Sequence, residues 1–487
     1  MYNKSFFLGL KSVLKRSISH PKLLYFLSLF IVQIYNILLL PIVTTKFSVI
    51  DYANYITIFQ FIGFSQAILS LVYTGGLMKF WNELNSIDKI KYLNTVFVFL
   101  IIVFIALSLM GSPFIFSKNF KFSYFLNIQN NLLILMIIIL LIRIINSFLL
   151  SFYRINIEPL QHLNYSIIFF LSISIQICLL YFNSQINLEN ILFIFLFSEI
   201  ISSSFLLIRF KIFFKFNFKS NLLLKHYRFS FTLILSTICF IIFQNLDRFI
   251  LRINSSSLLF AQYSTALSIS LISALLVTAI SSSDFPYLKK ISIIKKEGTD
   301  QIGLKMKQSM NLMFLMSIIL ISSNDLIIEI FAKNYHTAQT TLCLNLLVVS
   351  NFFRLKYLYN ENNLFLLDKN KQILITKAFI LISGIVLLNI FLNNNPLISF
   401  PFSFILTFIL ADIISNFMIT SKFFSFSLKD LTIFFYGSIL ILVSFTLYFL
   451  KSIDASKGVL FFLKIFFVFA SSIFLTKMIL KKTKETE

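Results

Sequence analysis

Long apolar runs alternate with short polar segments from residue 23 to residue 479. A helix needs ~20 mostly apolar residues to cross a bilayer. Runs of that length fall at 23–45, 53–74, 93–116, 132–153, 163–183 and 190–209, then at 229–251, 259–283, 309–331, 338–360, 372–394, 400–420, 431–450 and 459–479. They predict about fourteen transmembrane helices. Spanning barrels show shorter, alternating segments of ~10 residues, absent here. Within lipid a backbone must satisfy its own hydrogen bonds, which leaves helices. The predicted class is an all-α integral membrane protein.

Residues 1–22 have a different pattern. Phe6, Phe7, Leu10, Val13, Leu14 and Ile18 recur at helical spacing beside Lys4, Lys11, Lys15 and Arg16. This predicts a basic amphipathic helix lying on an anionic membrane surface. The first spanning run is too long for the roughly 7–15-residue apolar core of a signal peptide.

Composition agrees with the pattern. The chain of 487 residues is 58% hydrophobic and 13% charged, with a mean hydropathy of +0.89. Soluble domains average roughly 45–50% apolar and ~25% charged residues. The net charge of +23 is a matter of topology. With the N-terminus inside, 28 of the 42 Lys and Arg fall on inside segments and 7 on outside loops, the rest lying within spans. That asymmetry satisfies the positive-inside rule, places both termini in the cytoplasm and leaves no charge that calls for nucleic acid. Cys178, Cys239 and Cys343 lie far apart in apolar runs, and His20, His162, His226 and His336 have no metal-ligand spacing. There is no phosphate-binding glycine loop among the 10 glycines, so neither metal nor nucleotide cofactor is expected.

The basic stretch 210–228 divides the spans into sixes. The expected organisation is a basic interfacial segment at 1–22, an N-lobe at 23–209, a cytoplasmic linker at 210–228 and a C-lobe at 229–420. Two appended spans at 421–479 and a tail at 480–487 follow. Ala53-Asn54-Tyr55 and Ala261-Gln262-Tyr263 lie 208 residues apart, and the same offset aligns Ser65 with Ser273. Six helices return the chain to its starting side, so the lobes would be parallel repeats flanking a central cavity, an architecture of transporters.

Leu40-Pro41-Ile42 followed by Asp51-Tyr52-Ala53-Asn54-Tyr55 resembles the start of Wzx-type O-antigen flippases. Asn245-Leu246-Asp247-Arg248-Phe249-Ile250-Leu251 is similar to that family's seventh helix. Ala261-Gln262-Tyr263, Phe285-Pro286 and Phe331-Ala332-Lys333-Asn334-Tyr335 continue the likeness over most of the chain. The resemblance implies the multidrug/oligosaccharidyl-lipid/polysaccharide exporter superfamily. It also implies a job: moving an undecaprenyl-pyrophosphate-linked oligosaccharide from the cytoplasmic to the periplasmic leaflet of the inner membrane by alternating access. The expected partners are that lipid-linked substrate, membrane lipids, H⁺ or Na⁺ as coupling ion, and polysaccharide polymerase machinery.

Such a headgroup must cross ~30 Å of hydrocarbon, and an unpaired charge there is prohibitive. Arginine, which matches phosphate oxygens with two parallel donors, lowers that barrier. Arg143 lies roughly 16 Å into its span at 1.5 Å per residue, near mid-depth. It reads as an anion-facing cation or as half of an ion pair with Glu199 or Asp412. Arg248, Arg354 and Lys377 are further anion-facing candidates. Glu199, Asp247 and Asp412 are candidates for ion coupling or charge pairing. Arg354, Lys356 and Lys377 fit either snorkelling toward the inner interface or loading the headgroup from that leaflet. Asp247 and Arg248 are adjacent, so on a helix they point about 100° apart and do not form one pair.

Two alternatives remain. One is another exporter of the superfamily, carrying drugs, teichoic-acid precursors or lipid II. The other is a polytopic O-antigen polymerase, which the short outside loops, without a carboxylate pair, disfavour. The chain is expected to be a transporter rather than an enzyme.

Overall fold

The computed structural model describes residues 21–80, 86–116, 130–155, 159–181, 187–209, 220–294, 299–367, 369–392, 394–420 and 428–452. Among these residues there are thirteen α-helices and one short 3-10 turn. They are α1 (Pro21–Lys46), α2 (Val49–Phe80), α3 (Ser86–Phe116), α4 (Asn130–Ile155), α5 (Pro159–Tyr181), α6 (Leu188–Arg209) and α7 (Ser220–Asn254). Then come α8 (Ser257–Ile294), α9 (Thr299–Phe331), the 3-10 turn Lys333–Tyr335, α10 (Ala338–Leu366), α11 (Asn370–Phe391), α12 (Pro396–Thr420) and α13 (Leu428–Ser452). Each of the first thirteen predicted spans coincides with one helix. The expected interfacial helix before residue 21, the linker residues 210–219 and the span at 459–479 lie outside the described residues.

Helices and apolar runs do not share their ends. The stretch between the predicted spans 259–283 and 309–331 is mostly helical where described, because α8 runs on to Ile294 and α9 starts at Thr299. Likewise residues 220–228 of the expected linker are the first turns of α7. Hydropathy marks where a helix meets lipid, whereas helical hydrogen bonding continues wherever the backbone allows it.

The surface is inverted relative to a soluble fold. Ile208 and Ile175 are 77% and 60% exposed, while Glu199, Asn345 and Asp412 are at most 2% exposed. Nine of the described helices hold a stretch long and apolar enough to cross a membrane. With the fold reported below, this makes the protein polytopic in the membrane. The central helix α10 is not among the nine. It carries Asn345, Asn351, Arg354, Lys356, Asn360 and Glu361, which is tolerable because α8, α9, α11, α12 and α13 all pack around it.

The chain folds as two compact units that divide between residues 234 and 235, with residues 43–45 counted in the second. In the first unit α4 is the hub, packed on α2, α3, α5 and α6. In the second the hub is α10. The second helix of each half begins alike. Ser48 Oγ accepts from the Asp51 amide at 3.1 Å and donates to Asp51 Oδ2 at 2.6 Å, and Ser256 Oγ accepts from the Leu259 amide at 3.3 Å. Both are serine N-caps, satisfying an amide that the helix itself leaves unpaired. They stand just before the two Ala-amide-Tyr triplets, whose Ala53 and Ala261 are wholly buried.

Within the second unit, Gly384 of α11 lies against the ring of Phe243. A Cβ at that position would come 2.5 Å from Cδ2 and Cε2. The ring is held edge-on by Phe404 at 5.1 Å and Phe408 at 5.7 Å, so it cannot yield. Gly384→Ala is therefore expected to cost about 1–3 kcal/mol of stability by overpacking, read as a lower unfolding temperature in detergent.

Candidate functional site

Arg143 and Asn146 lie one turn apart on α4 and so face the same neighbours. Both reach Glu199 on α6. Arg143 Nε donates to Glu199 Oε1 at 2.9 Å, and Asn146 Nδ2 donates to Oε2 at 2.7 Å. Tyr165 on α5 adds a third donor, its hydroxyl 3.1 Å from Oε2. Ser203 Oγ, one turn beyond Glu199, donates to Asn146 Oδ1 at 2.7 Å and fixes the amide's orientation. The Glu199 side chain, 3% exposed, accepts from all three donors.

Arg143 answers both readings of the sequence. It pairs with Glu199, not with Asp412, and uses only Nε to do so. Its two Nη groups have no hydrogen-bond partner among the described residues, and the side chain is 22% exposed. The guanidinium lies 4.4 Å above the ring of Phe195, which holds its plane without consuming a donor. The result is a fixed cation with four N–H donors available to an anion.

The other candidates gather in the second unit. Lys377 Nζ sits 2.6 Å from Glu361 Oε1 and 5.4 Å from the centre of the Phe240 ring. The Arg354 guanidinium sits 5.6 Å from the same ring, its buried Nε without a hydrogen-bond partner among the described residues. Two cations thus flank one aromatic ring. Lys356, at 4% exposure, lies 3.6 Å from Asp412 Oδ1, which also accepts from Asn360 Nδ2 at 2.6 Å. Lys356 and Lys377 are buried against carboxylates, so neither snorkels.

Asp247 and Arg248 point apart, as their adjacency predicts. Arg248 Nη2 donates to Asn245 Oδ1 at 2.8 Å. Asp247, 1% exposed, instead accepts from the Tyr263 hydroxyl at 2.5 Å, and its buried Oδ1 has no hydrogen-bond partner among the described residues. Two separately quoted motifs, the seventh-helix Asp and Ala261-Gln262-Tyr263, thus meet in one contact.

Sequence reasoning missed Asn146, Tyr165, Phe240 and Glu361. Asn146 carried a signal, standing three residues from Arg143 in an otherwise apolar span. Glu361 lay one residue beyond the predicted end of its span. A third polar group joins Asp325 of α9, His336 and Lys451 of α13. Lys451 Nζ is 2.5 Å from Asp325 Oδ1 and 2.9 Å from His336 Nε2. No group of His, Cys, Asp and Glu suited to a metal ion occurs among the described residues.

The fold is one seen in solved structures of a lipid II flippase and of multidrug transporters. The structure is similar to that of MurJ, a lipid II flippase in an inward closed conformation, with a TM-score of 0.72 and 17% identity over 95% of this chain and 99% of that one. An inward-facing multidrug-resistance MATE transporter matches with a TM-score of 0.60 and 11% identity, over 82% of this chain and 95% of that one. A MOP-superfamily transporter from Pyrococcus furiosus, described as having a binding pocket of reversed polarity, matches at 0.57 and 13% identity, over 82% and 94%. These likenesses define the fold. Neither a protein-family model nor a curated protein matches the sequence.

Proposed function

We propose that this protein is a flippase that moves an undecaprenyl-pyrophosphate-linked oligosaccharide, an O-antigen or similar polysaccharide repeat unit, across the inner membrane by alternating access. The observation that carries the reading is the geometry of Arg143, a mid-span guanidinium anchored through Nε with both Nη groups open. A drug exporter handling cations would be served by a bare carboxylate, and Glu199 is covered by three donors instead. Arg248, Arg354 and Lys377 are the second unit's candidate cations for an anionic headgroup. Asp247, with a buried and unpartnered Oδ1, and Asp412 are the groups through which H⁺ or Na⁺ would be coupled. Glu199 serves charge pairing. Both termini face the cytoplasm, the N-lobe and C-lobe act as the two repeats, and polymerase machinery receives the product.

A second reading is lipid II as the cargo, favoured by the likeness to MurJ over nearly the whole chain. Both cargoes carry a polyprenyl pyrophosphate, so both use the same cation. Proteoliposomes holding the purified protein should flip a fluorescent polyprenyl-pyrophosphate oligosaccharide and exclude a cationic dye. Dye export without lipid flipping would overturn the proposal. Faster flipping of lipid II than of an O-antigen unit would select the second cargo.

A further inference from the structure

The two units hold one carboxylate each in the same way. In the first, Asn146 of the fourth helix donates to Glu199 of the sixth, 53 residues on. In the second, Asn360 of the tenth helix donates to Asp412 of the twelfth, 52 residues on. A serine one turn past the carboxylate bonds the same asparagine in both. Ser203 donates to Asn146 at 2.7 Å, and Asn360 donates to Ser415 at 3.1 Å. A cation one turn before the asparagine faces the carboxylate in both, namely Arg143 at 2.9 Å and Lys356 at 3.6 Å. Each asparagine stands on its unit's hub helix. Four positions agree in residue class, helix and order, which one isolated polar contact would not do.

We infer that these are two copies of one clasp, and that Lys356 is the second unit's counterpart of Arg143, a cation for a phosphate-bearing ligand. The inference rests on the anion reading proposed above and extends it to Lys356 and its clasp. The copies differ in state. Arg143 presents open donors, whereas Lys356 is buried and faces Asp412 beyond hydrogen-bond distance. A buried ammonium needs a counter-charge, so Asp412 and an anionic ligand are competing partners for Lys356. Asn360 and Ser415 are positioning residues, since they hold Asp412.

The probe is inorganic pyrophosphate, titrated into the purified full-length protein in nanodiscs. Asp412→Asn keeps the shape of the clasp and removes its charge. It should tighten pyrophosphate binding about tenfold, a change of about 1.4 kcal/mol. The Asp412→Asn/Lys356→Met double variant should lose that gain. Unchanged affinity in Asp412→Asn, or a gain that survives loss of Lys356, would overturn the inference. If wild type binds and Arg143→Ala does not, such a result leaves the anion reading standing. Absence of binding in wild type overturns both. Should Asp412→Asn fail to fold, the flipping assay decides. Lys356→Met should raise the half-saturating substrate concentration about tenfold, and Lys356→Arg should recover most of that loss. Equal values for wild type and Lys356→Met would overturn the inference.

Discussion

Arg143→Ala is expected to insert but to lose translocation by at least about 100-fold, the effect of removing charge-assisted hydrogen bonds worth about 3 kcal/mol. Glu199 loses its counter-charge and stability falls, but the fold should survive because Glu199 keeps Asn146 and Tyr165 as donors. Arg143→Lys should retain partial activity. An ammonium is a point charge without the planar fork, so it cannot both hold Glu199 through one nitrogen and present a pair of donors to phosphate. Flipping of a labelled polyprenyl-pyrophosphate oligosaccharide, with membrane abundance measured alongside, checks both. Unimpaired flipping by the Ala variant would remove Arg143 from the path.

Glu199→Leu should have the opposite profile, with stability failing first. It strands Arg143 Nε, Asn146 Nδ2 and the Tyr165 hydroxyl together. Breaking a buried ion pair from one side costs about 3–5 kcal/mol because an uncompensated charge stays behind. The thermal unfolding temperature in detergent should fall sharply. Adding Arg143→Met should recover much of it, because an apolar replacement of both partners is often neutral. Translocation should stay absent in the double variant. Recovery of flipping along with stability would show that Arg143 serves only the fold.

The helices were legible because runs of ~20 apolar residues are long compared with any error at their ends. What hydropathy could not locate were those ends, as at Ile294 of α8 and Ser220 of α7, where helix continues through polar residues. In the site, depth along a span identified Arg143, Glu199 and Asp412 as buried charges. It could not choose Arg143's partner, because depth does not say which helices are neighbours. The choice needed α4 packed on α6. Phe240 could not be singled out among 63 Phe, since its distinction is two cations drawn from α10 and α11. Lys356 read as a snorkelling residue because a linear sequence shows distance from a span's end and not the carboxylate waiting on α12.

The last described helix, α13, is fastened along its length. Tyr436 stacks on Phe314 of α9 at 4.5 Å, and Gly437 leaves room for the Phe353 ring of α10, where any Cβ would overlap it. Near its other end, Lys451 meets Asp325 and His336. A shortened protein that stops ahead of Leu428 would therefore bare aromatic faces of the hub and take Lys451 away from the half-buried Asp325, leaving it His336. Truncation at this point should yield material caught by quality-control proteases rather than a stable shorter protein.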